Sequence, residues 1–246
     1  MRSLALAIVA ALFLAAKAVA AERTIYLTFD DGPLPGTENI LDVLAREAVP
    51  AAMFMVGMHV EAGAERRALL ARARSMPLVT IGNHSYSHAN NRYKHYYLDT
   101  EGVVADMLRA NPILGLKPMA HARMPGRDVF RLRTVFKEDL SVNAAQYERE
   151  EVDFDFVAAS GFYLYGWDFE WVHDGTGKPV QSVASLLSEI DHLFSYGRFV
   201  RPNRMILLMH DQMFQDRFDG EKNLTALITG LRQRGYAFGS IASYED

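Results

Sequence analysis

The chain of 246 residues contains no cysteine. That single absence removes disulfides, thiolate nucleophiles and every cysteine-ligated metal site, so any bound metal has to be held by His, Asp or Glu. Basic runs are missing too. Lys and Arg number 26 against 30 Asp and Glu, a formal net charge of −4, and a mildly acidic chain gains nothing from phosphate attraction, so nucleic acid is not expected as a partner. No internal repeat, low-complexity tract or Pro/Gly-rich linker divides the sequence. The apolar stretch from Leu4 to Ala16 is too short for a comfortable membrane span.

That stretch has another reading. MRSLALAIVAALFLAAKAVA places a basic Arg2 before the apolar segment and ends in Ala18-Val19-Ala20, the layout of a secretory signal peptide cut after Ala20. Lys17 beside the cut site is awkward for this, and an uncleaved anchor is the alternative. The expected domains are therefore residues 1–20 as signal and 21–246 as one folded unit, exported to the periplasm or secreted, with no stable membrane span once the signal is removed. Loss of Arg2 and Lys17 leaves 24 basic against 30 acidic side chains. Export without disulfides is compatible with a domain of this size, whose core can suffice.

Hydrophobic periodicity gives an alternation of strands and helices. Thr24–Phe29, Ala51–Val56, Leu78–Gly82, Ala120–Arg123, Phe162–Trp167, Met205–Met209 and Tyr236–Phe238 read as strands. Thr37–Glu47, with Thr37 as its N-cap, and Glu61–Ser75, Asp99–Arg109, Val180–Phe194 and Gly220–Arg234 read as helices. Such alternation implies an α/β fold with a mostly parallel sheet, and this many units suggest a barrel. The segment from Phe130 to Asp155 has no clear periodicity and is left as a lid, a partner surface or ordinary barrel.

Chemistry-bearing residues gather after the strands. TFDDGP puts Asp30 and Asp31 where the first strand ends, although Asp, Gly and Pro are also ordinary turn formers. NHSYSH carries His84 and His88 four residues apart, a spacing at which both imidazoles can face one point on a helical turn. One Asp with two His makes three protein ligands and leaves a position open, as catalytic zinc sites require. ILLMHD runs four apolar residues into His210, well placed for a general acid. Taken singly, each is also compatible with a turn, a structural histidine or a salt bridge. Together they lie on the carboxyl-terminal rim, where α/β barrels keep their active sites.

In this order and spacing, TFDDGP, NHSYSH, RMPG and LLMH resemble the polysaccharide deacetylases, the family-four carbohydrate esterases, over about residues 24–240. The resemblance implies a distorted (β/α) barrel and a hydrolase that removes N-acetyl groups from an N-acetylated polysaccharide or oligosaccharide with one divalent metal, zinc in preference to cobalt or nickel. It implies Asp31, His84 and His88 as metal ligands, Asp30 as catalytic base held by Arg123, and His210 as the acid that protonates the leaving amine. The backbone N–H of Gly126 would serve the oxyanion. Asp168 is the preferred partner tuning His210, with Glu170 second, and Trp171 and Leu207 would close the acetyl pocket.

Two departures bear on the substrate. Where the family carries an aromatic residue three positions after the arginine, this chain has Gly126, so an aromatic wall is expected to be missing. Where the family reads D-x-x-D-W, this chain reads WDFEW. The alternatives weighed against the deacetylase are the same chemistry on an O-acetyl ester or small amide, and an inactive glycan-binding homologue. An aspartate-nucleophile phosphatase is disfavoured, because Gly32 stands where its second Asp is needed.

Overall fold

A computed structural model of the chain describes residues 22–139, 141–143 and 150–246. The expected signal peptide lies outside them. Strand β1 (Thr24–Asp30) pairs in parallel along its whole length with β9 (Arg204–His210), and on its other edge with β2 (Ala51–Met55). The sheet continues through β3 (Val79–Asn83), β4 (Ala120–Ala122) and β7 (Phe162–Leu164), all in parallel register. A short antiparallel pair, β5 (Phe130–Arg131) and β6 (Phe136–Lys137), ends one side, and β8 (Phe169–Glu170) ends the other beside β9. Strand β10 (Ala237–Phe238) adds to the start of β1. Among the described residues the pairing is open between β6 and β8. The result is a curled α/β sheet, the distorted relative of a closed barrel, and it is mostly parallel as the alternation of elements predicts.

The two faces of the sheet divide by residue parity, because successive side chains on a strand point to opposite sides. Ile25, Leu27 and Phe29 of β1 join Met205, Leu207 and Met209 of β9 in an outer core. That core is completed by α1 (Thr37–Glu47), α7 (Val183–Tyr196) and α8 (Gly220–Gln233) through residues such as Ile40, Leu44, Ile190 and Leu227. Each large apolar side chain fully buried there contributes about 1.5–3 kcal/mol. On the inner face Tyr26 and Ile206 pack with Phe54, Phe130, Tyr165 and Tyr244. A third cluster sets α5 (Thr100–Leu114) and α6 (Phe154–Ala159) against β4 and β7. No helix among the described residues is long and apolar enough to cross a membrane.

Three local expectations change. The segment 61–75 is not one helix: α2 (Gly57–Glu61) and α3 (Ala64–Ser75) are separated at Ala62 and Gly63. Thr37 is not an N-cap but the first helical residue after Gly36, and its hydroxyl turns inward to Leu34 and Asp211. The unreadable stretch contains β6 and is held by charges. Arg127 pairs with Asp139 and Glu150, Arg131 with Glu138 and Asp155, and Lys137 with Asp128. A strand pair this short carries too few residues to show a period of two, which is why the sequence leaves it unread.

Candidate active site

Parallel register brings five strand ends to one rim. Asp30 closes β1 directly opposite His210 at the end of β9, His84 follows β3, Arg123 follows β4, and Glu170 ends β8 beside Leu208. All but the fully buried Arg123 line a cavity of about 350 Å³ whose lining also includes Asp31, His88, Tyr93, Gly126, Trp167 and His173.

Two adjacent carboxylates can reach one place because the strand stops between them. Asp30 still has strand geometry, whereas Asp31 has φ 73°, a left-handed conformation that Asp tolerates better than most residues. The alternation that would point the second carboxylate away is thereby broken. Asp30 Oδ2 lies 3.6 Å from His84 Nε2, and Asp31 Oδ1 lies 3.4 Å from the same nitrogen and 3.0 Å from His88 Nε2. After Asp31 only glycine fits, since a Cβ at Gly32 would stand 2.5 Å from Asp211 Oδ2.

The surroundings of the two aspartates differ. Asp30 Oδ1 accepts from Arg123 Nη1 at 2.8 Å. Arg123 has no exposed surface, and it donates also to Thr28 Oγ1 at 2.9 Å, the Tyr165 carbonyl at 3.1 Å and the Gly166 carbonyl at 2.8 Å. Thr28 passes its own proton to the Leu207 carbonyl at 2.9 Å. A guanidinium satisfied on three sides is a fixed cation, and Asp30 is the carboxylate it neutralises.

Asp31 faces only histidines with its Oδ1. Burial alone would raise its carboxyl, but the attraction of the adjacent His84 and His88 rings outweighs burial and holds it well below the usual carboxylate range. For His84, burial opposes the charged ring, and the attraction of Asp30 and Asp31 overcomes it, so its pKa is raised.

These residues fit a divalent metal. One ligand atom from each of Asp31, His84 and His88 falls within 4.8 Å of the others, the one such cluster among the described residues. Asp31 Oδ1 is buried with no properly aligned hydrogen-bond donor, the state of an oxygen aimed at an ion. His84 Nδ1 sits 2.8 Å from the Arg123 carbonyl; donating there fixes the tautomer and leaves Nε2 as the free ligand. The pair does not lie on a helical turn, as the spacing suggested. His84 extends β3, and His88 begins a turn in which His88, Ala89, Asn90 and Asn91 all have φ between 47° and 56°. Asn83 anchors this segment: its side chain accepts from Ser85 N and donates to the Met107 carbonyl and to Asn111, while its backbone carbonyl takes the Arg123 N–H.

His210 is buried enough that desolvation lowers its pKa, with Asp31 and Asp30 pulling the other way. Its Nδ1 meets no hydrogen-bond partner among the described residues. Asp168 does not supply one. Its two carboxylate oxygens accept from Val200 N at 2.9 Å and Ile206 N at 2.8 Å, so it ties the start of β8 to β9. Glu170, two residues on and therefore on the same strand face as the cavity, is the acid that lines the site. Burial raises its pKa first, and Asp30 adds to this while His173 and Arg123 oppose it.

The expected acetyl-pocket pair is also corrected. Leu207 has the wrong parity and joins the outer core, and Leu208 lines the cavity in its place. Trp171 is buried against Phe214 with its indole N–H on the Gln181 carbonyl; Trp167 is the tryptophan in the lining. Gly126 does line the cavity, and its N–H has no acceptor among the described residues. The wall beside it is not missing, because Tyr93 fills the space.

Besides Leu208 and Trp167, Tyr93 and His173 are site residues that the sequence analysis did not find. His173 stacks edge-on against His210 with ring centroids 4.8 Å apart and meets Gln212 at 3.1 Å. Parity with Asp30 across β1 and β9 would have selected Leu208; no sequence signal marks Tyr93.

An α/β sheet whose rim joins an Asp–His–His cluster to an arginine-held carboxylate defines a metal-dependent hydrolase site. The sequence profile described as polysaccharide deacetylase matches residues 17–129. A peptidoglycan-N-acetylglucosamine deacetylase of Bacillus cereus is 24% identical over 223 residues, 88% of this chain and 68% of that one. A bifunctional xylanase/deacetylase of Pseudobutyrivibrio xylanivorans is 25% identical over 90% of this chain, which spans only 30% of it. The solved structure of a Streptococcus mutans family-four carbohydrate esterase superposes with a TM-score of 0.63 at 25% identity, covering 89% of this chain and 86% of that one. The chain is thus similar to the polysaccharide deacetylases, the family-four carbohydrate esterases, the profile matching just under half of it and the structural likeness most of its length.

Proposed function

We propose that this chain is an exported zinc enzyme that hydrolyses the N-acetyl groups of an N-acetylated glycan. The observation that carries the reading is the division between neighbours: Asp30 is held by Arg123 and Asp31 by His84 and His88, in one cavity with His210. The deacetylase relatives support the substrate class, and the signal-like residues 1–20 support export.

A divalent metal on Asp31, His84 and His88 would supply Lewis acidity for polarising the acyl group and for activating water. The protein's own groups do the rest. Asp30, fixed by Arg123, accepts the proton of the attacking water. The free N–H of Gly126 is available to the developing oxyanion. His210, across the strand pair from Asp30, gives a proton to the departing nitrogen, which is too basic to leave well without one.

The test is acetate release by the chain, zinc-loaded and metal-stripped, from N-acetylglucosamine oligomers, peptidoglycan and an O-acetylated ester. Zinc-dependent release from a glycan is expected. His84→Ala and His88→Ala should each lose the metal, and full occupancy in both would remove the site. Release from the ester alone would move the substrate, and no release from any would overturn the reading.

A further inference from the structure

Tyr93 is a large cavity residue that the chemistry above leaves unused. It opens α4 (Tyr93–Tyr96), a segment attached to no strand end. Its ring lies over Gly126, where a Cβ would stand 3.3 Å from Cε1 and 3.5 Å from Cζ, so the missing side chain at 126 is what admits it. Two neighbours brace the ring, His88 in an edge-to-face contact at 5.8 Å and the Arg127 guanidinium 5.7 Å from the ring centroid. The phenol has no protein partner among the described residues and lines the cavity with Asn91, Ser141 and Trp167. A pyranose ring offers an apolar C–H face and a rim of hydroxyls, and an aromatic ring with a free O–H matches both.

We infer that Tyr93 is the platform for the sugar ring that bears the acyl group: its ring takes the C–H face and its hydroxyl donates to an oxygen of that sugar. This rests on the proposed function and narrows it, since a small acyclic amide would use neither contact.

The test compares the zinc-loaded wild type, Tyr93→Phe and Tyr93→Ala on an N-acetylglucosamine oligomer and on an activated aryl acetate, with zinc content measured in each. Tyr93→Phe keeps the wall and loses one hydrogen bond, so KM for the oligomer should rise about three- to five-fold. Tyr93→Ala should raise it about ten-fold or more, with a loss on the oligomer at least about five-fold greater than on the aryl ester and zinc retained. Equal losses on the two substrates, unchanged KM for the oligomer, or a loss explained by missing zinc would overturn the assignment. If the wild type releases no acetate from the oligomer, the functional reading falls by itself. Calorimetry with the same oligomer then decides Tyr93: weaker binding by Tyr93→Ala upholds the platform, and equal binding or none refutes it.

Discussion

Replacing Asp211 with Asn should abolish a fall in stability with rising pH. Asp211 follows His210, has no exposed surface, and its Oδ1 meets no partner among the described residues. Its Oδ2 meets the Thr37 hydroxyl, which also lies 2.8 Å from the Leu34 carbonyl and accepts from Leu34 N at 2.8 Å. Thr37 has one proton to give. A proton on the Asp211 carboxyl lets Thr37 donate to Leu34 and accept from Asp211, which satisfies all three groups. Burial first, then the charges of Asp31 and Asp30, push this carboxyl from 3.8 up to about 8, against the pull of Thr37.

Within that window the folded state keeps a proton that the unfolded chain has released. Stability therefore decreases as pH rises, by up to about 1.4 kcal/mol per pH unit and on the order of 5 kcal/mol in total. Asn is nearly isosteric, offers N–H in place of O–H, and does not titrate. Urea unfolding of wild type and Asp211→Asn in chelator, at steps from about pH 5 to about pH 8, isolates the effect, because the other titrating groups are common to both. The stability of the variant relative to wild type should grow by more than about 2 kcal/mol across the range. Parallel profiles would refute the neutral buried carboxyl.

Arg123→Met leaves Asp30 buried without its cation and should cost about 3–5 kcal/mol, read by denaturant unfolding, with a smaller increment when Asp30→Asn is already present. Asp168→Ala frees two backbone amides and should destabilise by about 2–4 kcal/mol while the kcat of the folded fraction stays near wild type. Glu170→Gln should leave stability little changed and alter the pH profile of kcat; the reverse outcome would return Asp168 to the active site. His210→Ala should lower amide hydrolysis by about a hundred-fold or more and affect an activated ester far less, and equal losses would argue against a general acid.

The order of strands and helices was legible because long buried strands and amphipathic helices repeat their periods over many residues. The rim residues Asp30, Asp31, His84, His88, Arg123 and His210 were legible because each stands just past an apolar run or a turn motif. What failed was what depends on three-dimensional bookkeeping. Leu207 and Leu208 are equally apolar, and only strand parity relative to Asp30 separates them. Asp168 and Glu170 are both acids, and the Val200 and Ile206 amides that occupy Asp168 lie more than thirty residues away. Tyr93 reaches Gly126 through a loop conformation that no local pattern encodes.

That loop has a thermodynamic consequence. Four successive L-residues from His88 to Asn91 hold left-handed angles, a conformation that costs roughly 1–2 kcal/mol per residue for most side chains and less for Asn. One of the three proposed ligand atoms, on His88, is mounted on this turn. The affinity measured for an ion at His88 is therefore the chelation energy less the cost of keeping the turn wound, and dissociation is assisted by its tendency to unwind. Substitutions at Ala89 and Asn90, which carry no ligand atom of the proposed site, should therefore change how long a bound ion stays.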